Sequence, residues 1–401
     1  TERTYWSWLY NIKFKMQNID DITLIISVVV MVVAIVSPFI NVMVRRLRAL
    51  GRDEDSVGIS DNEDHRQAAG ISIVLTVNDE GEDLKENLPL ILDQDYPGGY
   101  QVIVVMTGND EMVENVLKGF AGNPHLYVTF IPDSSRYMSR TKLAITVGVK
   151  AARYEWVLLT DVDCRPDSKR WLSGMAVGCN DNTDIMLGYS SFMDDYITPR
   201  RFDHVYNIYR QLVDAERGKA WGYCGNNLLF RKKTFLYGKG FEGNLKYIRG
   251  EYDFIVNKFA DSSNTGVLLL PDVRMSETEL TDKGWRNKKL YYMSTRRRLA
   301  GTRCPRMFFN LTMWMMVMGY LLCIAGIAVG LLTQRWVTLG VCSLAFVINI
   351  VLRAVVLKKS IGKLLNDVSA PYLLLLELTI PVRNAVKMIR SKFTDKYDFI
   401  S

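Results

Sequence analysis

Histidine is almost absent from this 401-residue chain: His65, His125 and His204 stand far apart, which excludes a histidine-rich metal centre. The six cysteines form no CxxC pair and no zinc spacing, and Cys323 and Cys342 lie inside apolar runs. A disulfide framework or a structural zinc is therefore not expected. Charge of one sign is not in strong excess either. The 50 Lys and Arg against 43 Asp and Glu leave a net +7, short of the dense basic surface of a dedicated nucleic-acid binder, so nucleic acid is excluded as a partner. With 48% hydrophobic and 23% charged residues, the disordered, collagen-like and low-complexity classes fall away. No repeat of about 20–50 residues is visible. The length allows two or three compact domains, or one large domain with membrane helices. A mean hydropathy of +0.01 averages two different materials, and that is the first positive clue.

The apolar material lies in three runs. Ile22 to Val44 carries no charge and is long enough for a bilayer core, which takes about 20 apolar residues. It exceeds the roughly 7–15 residues of a signal-peptide core, so a retained anchor is expected. Two more uncharged runs, Met307–Gln334 and Trp336–Leu352, are separated only by Arg335 and read as a tight helical hairpin. Basic residues follow the first run (Arg45, Arg46, Arg48, Arg52), precede the second (Arg296, Arg297, Arg298, Arg303, Arg306) and follow the third (Lys358, Lys359, Lys363). The positive-inside rule then puts the N-terminus outside and the main domain and tail on the cytoplasmic side of the inner membrane. The expected organisation is an interfacial segment at 1–21, transmembrane helices at 22–44, 307–333 and 336–357, a linker at 45–69, a large domain at 70–303 and a cytoplasmic tail at 358–401. Tyr5, Trp6, Trp8 and Tyr10 have the composition of a headgroup belt. The run Ala370–Val382, with Pro371, Glu377 and Pro381, reads as an interfacial or re-entrant helix.

Between the anchors the pattern changes. ISIVLTV (71–77), QVIVVMT (101–107), YVTFIP (127–132) and WVLLTDVD (156–163) are short β-rich runs that alternate with helical stretches such as KLAITVGVKAA (142–152). This alternation predicts an α/β domain with a parallel sheet, whose ligands sit beyond the carboxyl ends of the strands. Asn78–Asp79, Thr107–Asn109 and Asp161–Asp163 occupy those ends. Strand alternation would put the carboxylates of Asp161 and Asp163 on one side. Hard divalent cations bind through one or two carboxylates together with substrate phosphates.

VNDEGEDLKENLPLILDQDYP, RTKLAITVGVKAARYEWVLLTDVDCRPDSKRWL, CGNNLLFRKKTFLYGKGF and GEYDFIVNK, in that order, closely resemble the membrane-anchored family 2 glycosyltransferases of GT-A fold. The resemblance covers about residues 70–300. It implies that Asn78 and Asp79 help hold the nucleotide, that Asp163 binds Mg²⁺ or Mn²⁺ with the donor diphosphate, and that Asp161 contacts the nucleoside side and shares the metal. Arg140 and Lys142 would face the phosphates, or simply be solvated at a helix start. Gly225, Asn226 and Asn227 would line the donor sugar and acceptor, although a plain tight turn explains Gly225 as well.

An inverting transfer needs a base for the acceptor proton. The family's acid falls in Gly250-Glu251-Tyr252-Asp253, but its usual position is Tyr252, and a phenol with a pKa near 10 is a poor base. That leaves Asp253, preferred, or Glu251. The paired acids after the second strand are missing, and the Q-x-x-R-W element near Trp285–Tyr292 has Lys288 and Tyr291 in place of Gln and Arg. Arg296, Arg297 and Arg298 either serve the pyrophosphate or form the flank of the next membrane helix. The function expected from the resemblance is a membrane-bound inverting glycosyltransferase. It would use a nucleotide-sugar, UDP-linked being commonest, and a lipid or glycan acceptor at the cytoplasmic face. A processive polysaccharide synthase fits less well, because three spans offer a thin pore wall and the Q-x-x-R-W pattern is absent. The alternative is a catalytically degenerate scaffold or binding subunit working with a protein partner in a biosynthetic complex.

Overall fold

The computed structural model describes residues 21–45, 47, 69–108, 110–131, 139–193, 197–245, 247–278, 281–296, 298–362, 364–365 and 368–393. The expected interfacial segment and nearly all of the linker lie outside them, as do Asn109 and Arg297. The chain divides into two compact units: residues 1–44 with 305–381, and residues 45–304 with 382–401.

The first unit is helical. Three of its helices are long and apolar enough to cross a membrane: α1 (Asp21–Ile40), α10 (Arg303–Leu332) and α11 (Trp336–Ser360). Val30 and Ala34 of α1 pack with Cys323 of α10 and Cys342 and Ala345 of α11. Gly326 lets the two long helices close tightly, since a Cβ there would run into the Cys342 sulfur. The hairpin between them turns at Gln334, a non-glycine residue at φ 57°. Polar groups inside this unit find one another. Asn349 donates to the Ala34 carbonyl at 2.7 Å, and the buried Arg353 pairs with Glu377 at 3.3 Å. Asn41 also donates to Glu377, at 2.6 Å. Glu377 lies on α12 (Ala370–Phe393), one continuous helix running well beyond the short segment expected at 370–382.

The second unit is the α/β domain. β1 (Ile71–Val77) and β2 (Tyr100–Met106) are Val- and Ile-rich and buried on both faces, as central strands of a parallel sheet are. β3 (Leu126–Phe130) and β4 (Trp156–Leu159) complete a parallel run ordered β3-β2-β1-β4. β8 (Leu228–Arg231) joins β4 antiparallel, and β6 (Ile185–Leu187) and β9 (Thr265–Val267) extend the sheet to seven strands. A second sheet, ordered β5-β10-β7, is built from Cys164–Pro166, Arg274–Glu277 and Tyr189–Phe192.

The helices between the parallel strands are α2 (Gly81–Leu92), α3 (Glu111–Gly119) and α4 (Arg140–Ala151). Asp110 caps α3 by accepting from the Met112 and Val113 amides, and Ser139 caps α4 by accepting from Lys142. α5 (Trp171–Ala176), α6 (Pro199–Glu216), α7 (Lys232–Tyr237), α8 (Glu251–Phe259) and α9 (Asp282–Arg296) surround the other half. β1 pairs with β2 on one side and β4 on the other, so the chain switches direction across the sheet between β1 and β4. The crevice beyond their carboxyl ends is where α/β sheets bind ligands.

Candidate functional site

Asn78 and Asp79 follow β1 directly. Asn78 donates to Asp79 at 3.0 Å and accepts from the Thr107 hydroxyl at 3.0 Å, so the ends of β1 and β2 are tied together. Gly108 lies against the Asn78 side chain, and Arg140 donates to the Thr107 carbonyl. The first two strand ends and the start of α4 thus form one polar rim.

β4 stops at Leu159, four residues short of the predicted strand, so Asp161-Val162-Asp163 is a turn rather than strand. The turn closes through the Cys164 amide on the Asp161 carbonyl, at 3.1 Å. Simple alternation does not set these carboxylates. Val162 anchors them instead: its side chain enters the core and its carbonyl accepts from Asn87 at 2.9 Å, which leaves both aspartates half-buried. Burial, and then the neighbouring Asp161, push the Asp163 carboxyl up to about 7. Burial raises the Asp161 carboxyl as well, and two carboxylates this close favour a cation between them. Among the described residues no group of three or more His, Cys, Asp or Glu side chains is set to hold a metal. The donor set is two carboxylates, which suits a hard divalent ion that keeps waters and takes substrate phosphate oxygens.

α8 faces this turn. It begins after Gly250, whose φ of 96° is left-handed and favours glycine, and whose α-carbon lies against Thr295. Glu251 and Asp253, in its first turn, differ sharply. Asp253 is fully buried and accepts from the Tyr223 amide at 2.9 Å, Gln211 at 3.4 Å and the Arg296 guanidinium at 3.1 Å. Glu251 accepts from the Gly250 amide at 3.0 Å through one oxygen, while its other oxygen is buried without a partner. Burial pushes the Glu251 carboxyl above its ordinary range. Between them, Tyr252 donates its phenol to Asp161 at 2.9 Å.

The remaining expected residues divide. Lys142 is buried, and its ammonium donates to the carbonyls of Asn244, at 3.0 Å, and Tyr247. Burial pulls it down to about 8. It ties the Asn244 and Tyr247 carbonyls together. Asn226 and Asn227 are both buried: Asn226 donates to the Cys164 sulfur at 3.3 Å beside the acidic turn, and Asn227 donates to the Val273 carbonyl at 2.7 Å. Gly225 lies against the Tyr223 phenol, which leaves no room for a Cβ. Arg296 is no membrane flank: its side chain is only 16% exposed, on Asp253 and over the Tyr292 ring at 4.5 Å.

Sequence reasoning missed Glu277 and His204. They form a buried pair at 3.1 Å, and Lys288 reaches Glu277 at 3.4 Å, with both acids of the turn in its electrostatic surroundings. Only Lys288, as a departure from an expected pattern, gave any signal. Glu277 stands in a run with no motif.

The family model for glycosyl transferase family 21 matches residues 26–382. The chain belongs to glycosyl transferase family 21. Among solved structures it is similar to the mannosyltransferase PcManGT from Pyrobaculum calidifontis, in complex with GDP-Man and Mn²⁺, with 15% identity and a TM-score of 0.51 over 82% of this chain and 97% of that one. It is also similar to S. aureus TarS, with 14% identity and a TM-score of 0.39 over 58% of this chain and 40% of that one. A further similarity is to GalNAc-T7 with UDP, GalNAc and Mn²⁺, at 13% identity and a TM-score of 0.41 over 56% and 48% of the two chains. No curated protein matches. The family makes this protein a glycosyltransferase, and the PcManGT likeness supports the GT-A fold expected from the sequence. The enzyme reading therefore stands over the scaffold one.

Proposed function

We propose that this family 21 glycosyltransferase moves a sugar from a nucleotide-sugar to a lipid or glycan acceptor at the cytoplasmic membrane face, with inversion. The observation that supports it most is the Tyr252–Asp161 hydrogen bond, which brings the first turn of α8 against the acidic turn after β4. Asn78 and Asp79 hold the nucleoside. Asp161 and Asp163 would hold Mg²⁺ or Mn²⁺, which would supply positive charge to the donor diphosphate. The positive clusters after α1 and after α11, with Arg298, Arg303 and Arg306 before the apolar run of α10, support an N-terminus outside and a cytoplasmic main domain.

Glu251 is the base. A proton acceptor needs a free oxygen within reach of the acceptor hydroxyl. Asp253, preferred on sequence position, has three donors on its carboxylate and a guanidinium as its partner. Glu251 takes the proton from the acceptor hydroxyl, and the acceptor oxygen forms the new bond to the anomeric carbon. The bond from that carbon to the diphosphate oxygen breaks, and its electron pair leaves with the nucleoside diphosphate.

The test is titration of the full-length protein in detergent with UDP and GDP, with and without Mn²⁺, beside the variant Asp163→Ala. Metal-dependent binding of one nucleotide that disappears in the variant is expected. Binding of neither nucleotide, or binding indifferent to metal and to Asp163, refutes the donor site.

A further inference from the structure

Tyr252 stands where the resemblance to family 2 glycosyltransferases would place an acid, which on sequence grounds reads as a loss. Its surroundings show a different use. The side chain is 8% exposed, and its ring meets the Tyr223 ring edge-on at 6.4 Å. Tyr223 is itself fixed, donating to the carbonyls of Gly188 at 2.9 Å and Asn227 at 3.2 Å. The phenol oxygen, the one polar atom of this packed side chain, ends on Asp161. A carboxylate at 252 would add a third negative charge beside Asp161 and Asp163. A neutral phenol instead gives Asp161 a charge-assisted donor, which is stronger and more directional than a neutral pair.

We propose that Tyr252 is a positioning residue: through this hydrogen bond it fixes the Asp161 carboxylate for metal and donor diphosphate, and links the donor side of the site to the helix that presents Glu251. The inference rests on the donor-site reading above. Tyr252 and Glu251 are adjacent in the first turn of α8, and residues one apart on a helix point in directions about 100° apart. One helix start can therefore hold Asp161 with one side chain and leave the other for the acceptor.

The experiment uses full-length Tyr252→Phe, which keeps the packed ring and removes only the donor. The expected result is an Mn²⁺ requirement for half-maximal rate raised about tenfold, nucleotide affinity in Mn²⁺ lowered to a similar degree, and an unchanged KM for acceptor. Asp161→Asn, which removes the charged oxygen itself, loses at least as much affinity, and the double variant is no worse than Asp161→Asn alone, because Tyr252 acts only through Asp161. Should Tyr252→Phe melt below the wild type, 3-fluorotyrosine at 252 replaces it. That ring keeps the shape and donates more strongly, so its Mn²⁺ requirement falls. A Tyr252→Phe protein with wild-type metal and nucleotide dependence overturns the proposal, as do additive losses in the double variant or a fluorinated ring without effect. If wild-type protein binds neither UDP nor GDP with Mn²⁺, the donor-site reading itself has failed, and this proposal fails with it.

Discussion

Glu251→Gln and Asp253→Asn remove the same charge from the same helical turn, and the structure predicts opposite consequences. Asp253 is fully buried against a guanidinium that is itself only 16% exposed. Taking away one partner of such a pair leaves an uncompensated charge, at about 3–5 kcal/mol. The loss for Asp253→Asn is therefore about 3–5 kcal/mol, or roughly 6–20 °C in melting temperature for a unit of this size. Glu251 has no cation bonded to it and one oxygen without a partner, so Glu251→Gln leaves stability nearly unchanged. It removes the base, and kcat falls by about 10²–10⁴, equivalent to about 3–5 kcal/mol of barrier. Tryptophan fluorescence melts and initial rates of sugar transfer, made on the same preparations, read both quantities. If Asp253→Asn melts like wild type but is inactive, while Glu251→Gln turns over normally, the assignment of the base is wrong.

Three further outcomes follow from the same geometry. Because burial raises the Glu251 carboxyl, kcat/KM should climb with pH through a value above the ordinary glutamate pKa of about 4.3; a limb centred below that value contradicts this. Burial alone would raise Glu277, but Lys288 and His204 hold it well below its ordinary range. Its contribution to stability is thus present above pH ~4.3 and lost as pH falls through the depressed value, so acid should lower the melting temperature more steeply in wild type than in Glu277→Gln. In the helical unit, Arg353→Met strands Glu377 and should cost about 3–5 kcal/mol, whereas Arg353→Met with Glu377→Leu recovers most of it; detergent melts with no recovery would contradict this.

The parallel half of the sheet was legible because β1 and β2 are buried on both faces and therefore uninterrupted in hydrophobicity. The two long helices α10 and α11 were legible for the same reason, each burying or exposing apolar surface throughout. β6, β9 and the second sheet were not, since strands of three or four residues carry too few side chains to show a period. The acidic turn was found although its geometry was misjudged. The DxD spacing survives in a turn because Val162 enters the core and carries both neighbours with it. The contrast between Glu251 and Asp253 could not be read at all. It depends on Arg296 arriving from 43 positions away in sequence, and Arg296 looked like part of a membrane flank.

Two substitutions that weaken the family pattern in sequence, and an arginine that looked like a membrane flank, acquire partners in space. Tyr252 reaches Asp161, Lys288 reaches Glu277, and Arg296 reaches Asp253. A site drifting without selection keeps its apolar core, because burial still stabilises the fold, and has no reason to neutralise new charges one by one. Here each buried acid of α8 and β10 has an identifiable donor except one oxygen of Glu251. An unpaired buried carboxylate oxygen is destabilising on its own. Its persistence amid otherwise satisfied neighbours is what a base that must receive a proton requires, and this makes Glu251 the position at which activity is lost while stability stays nearly unchanged.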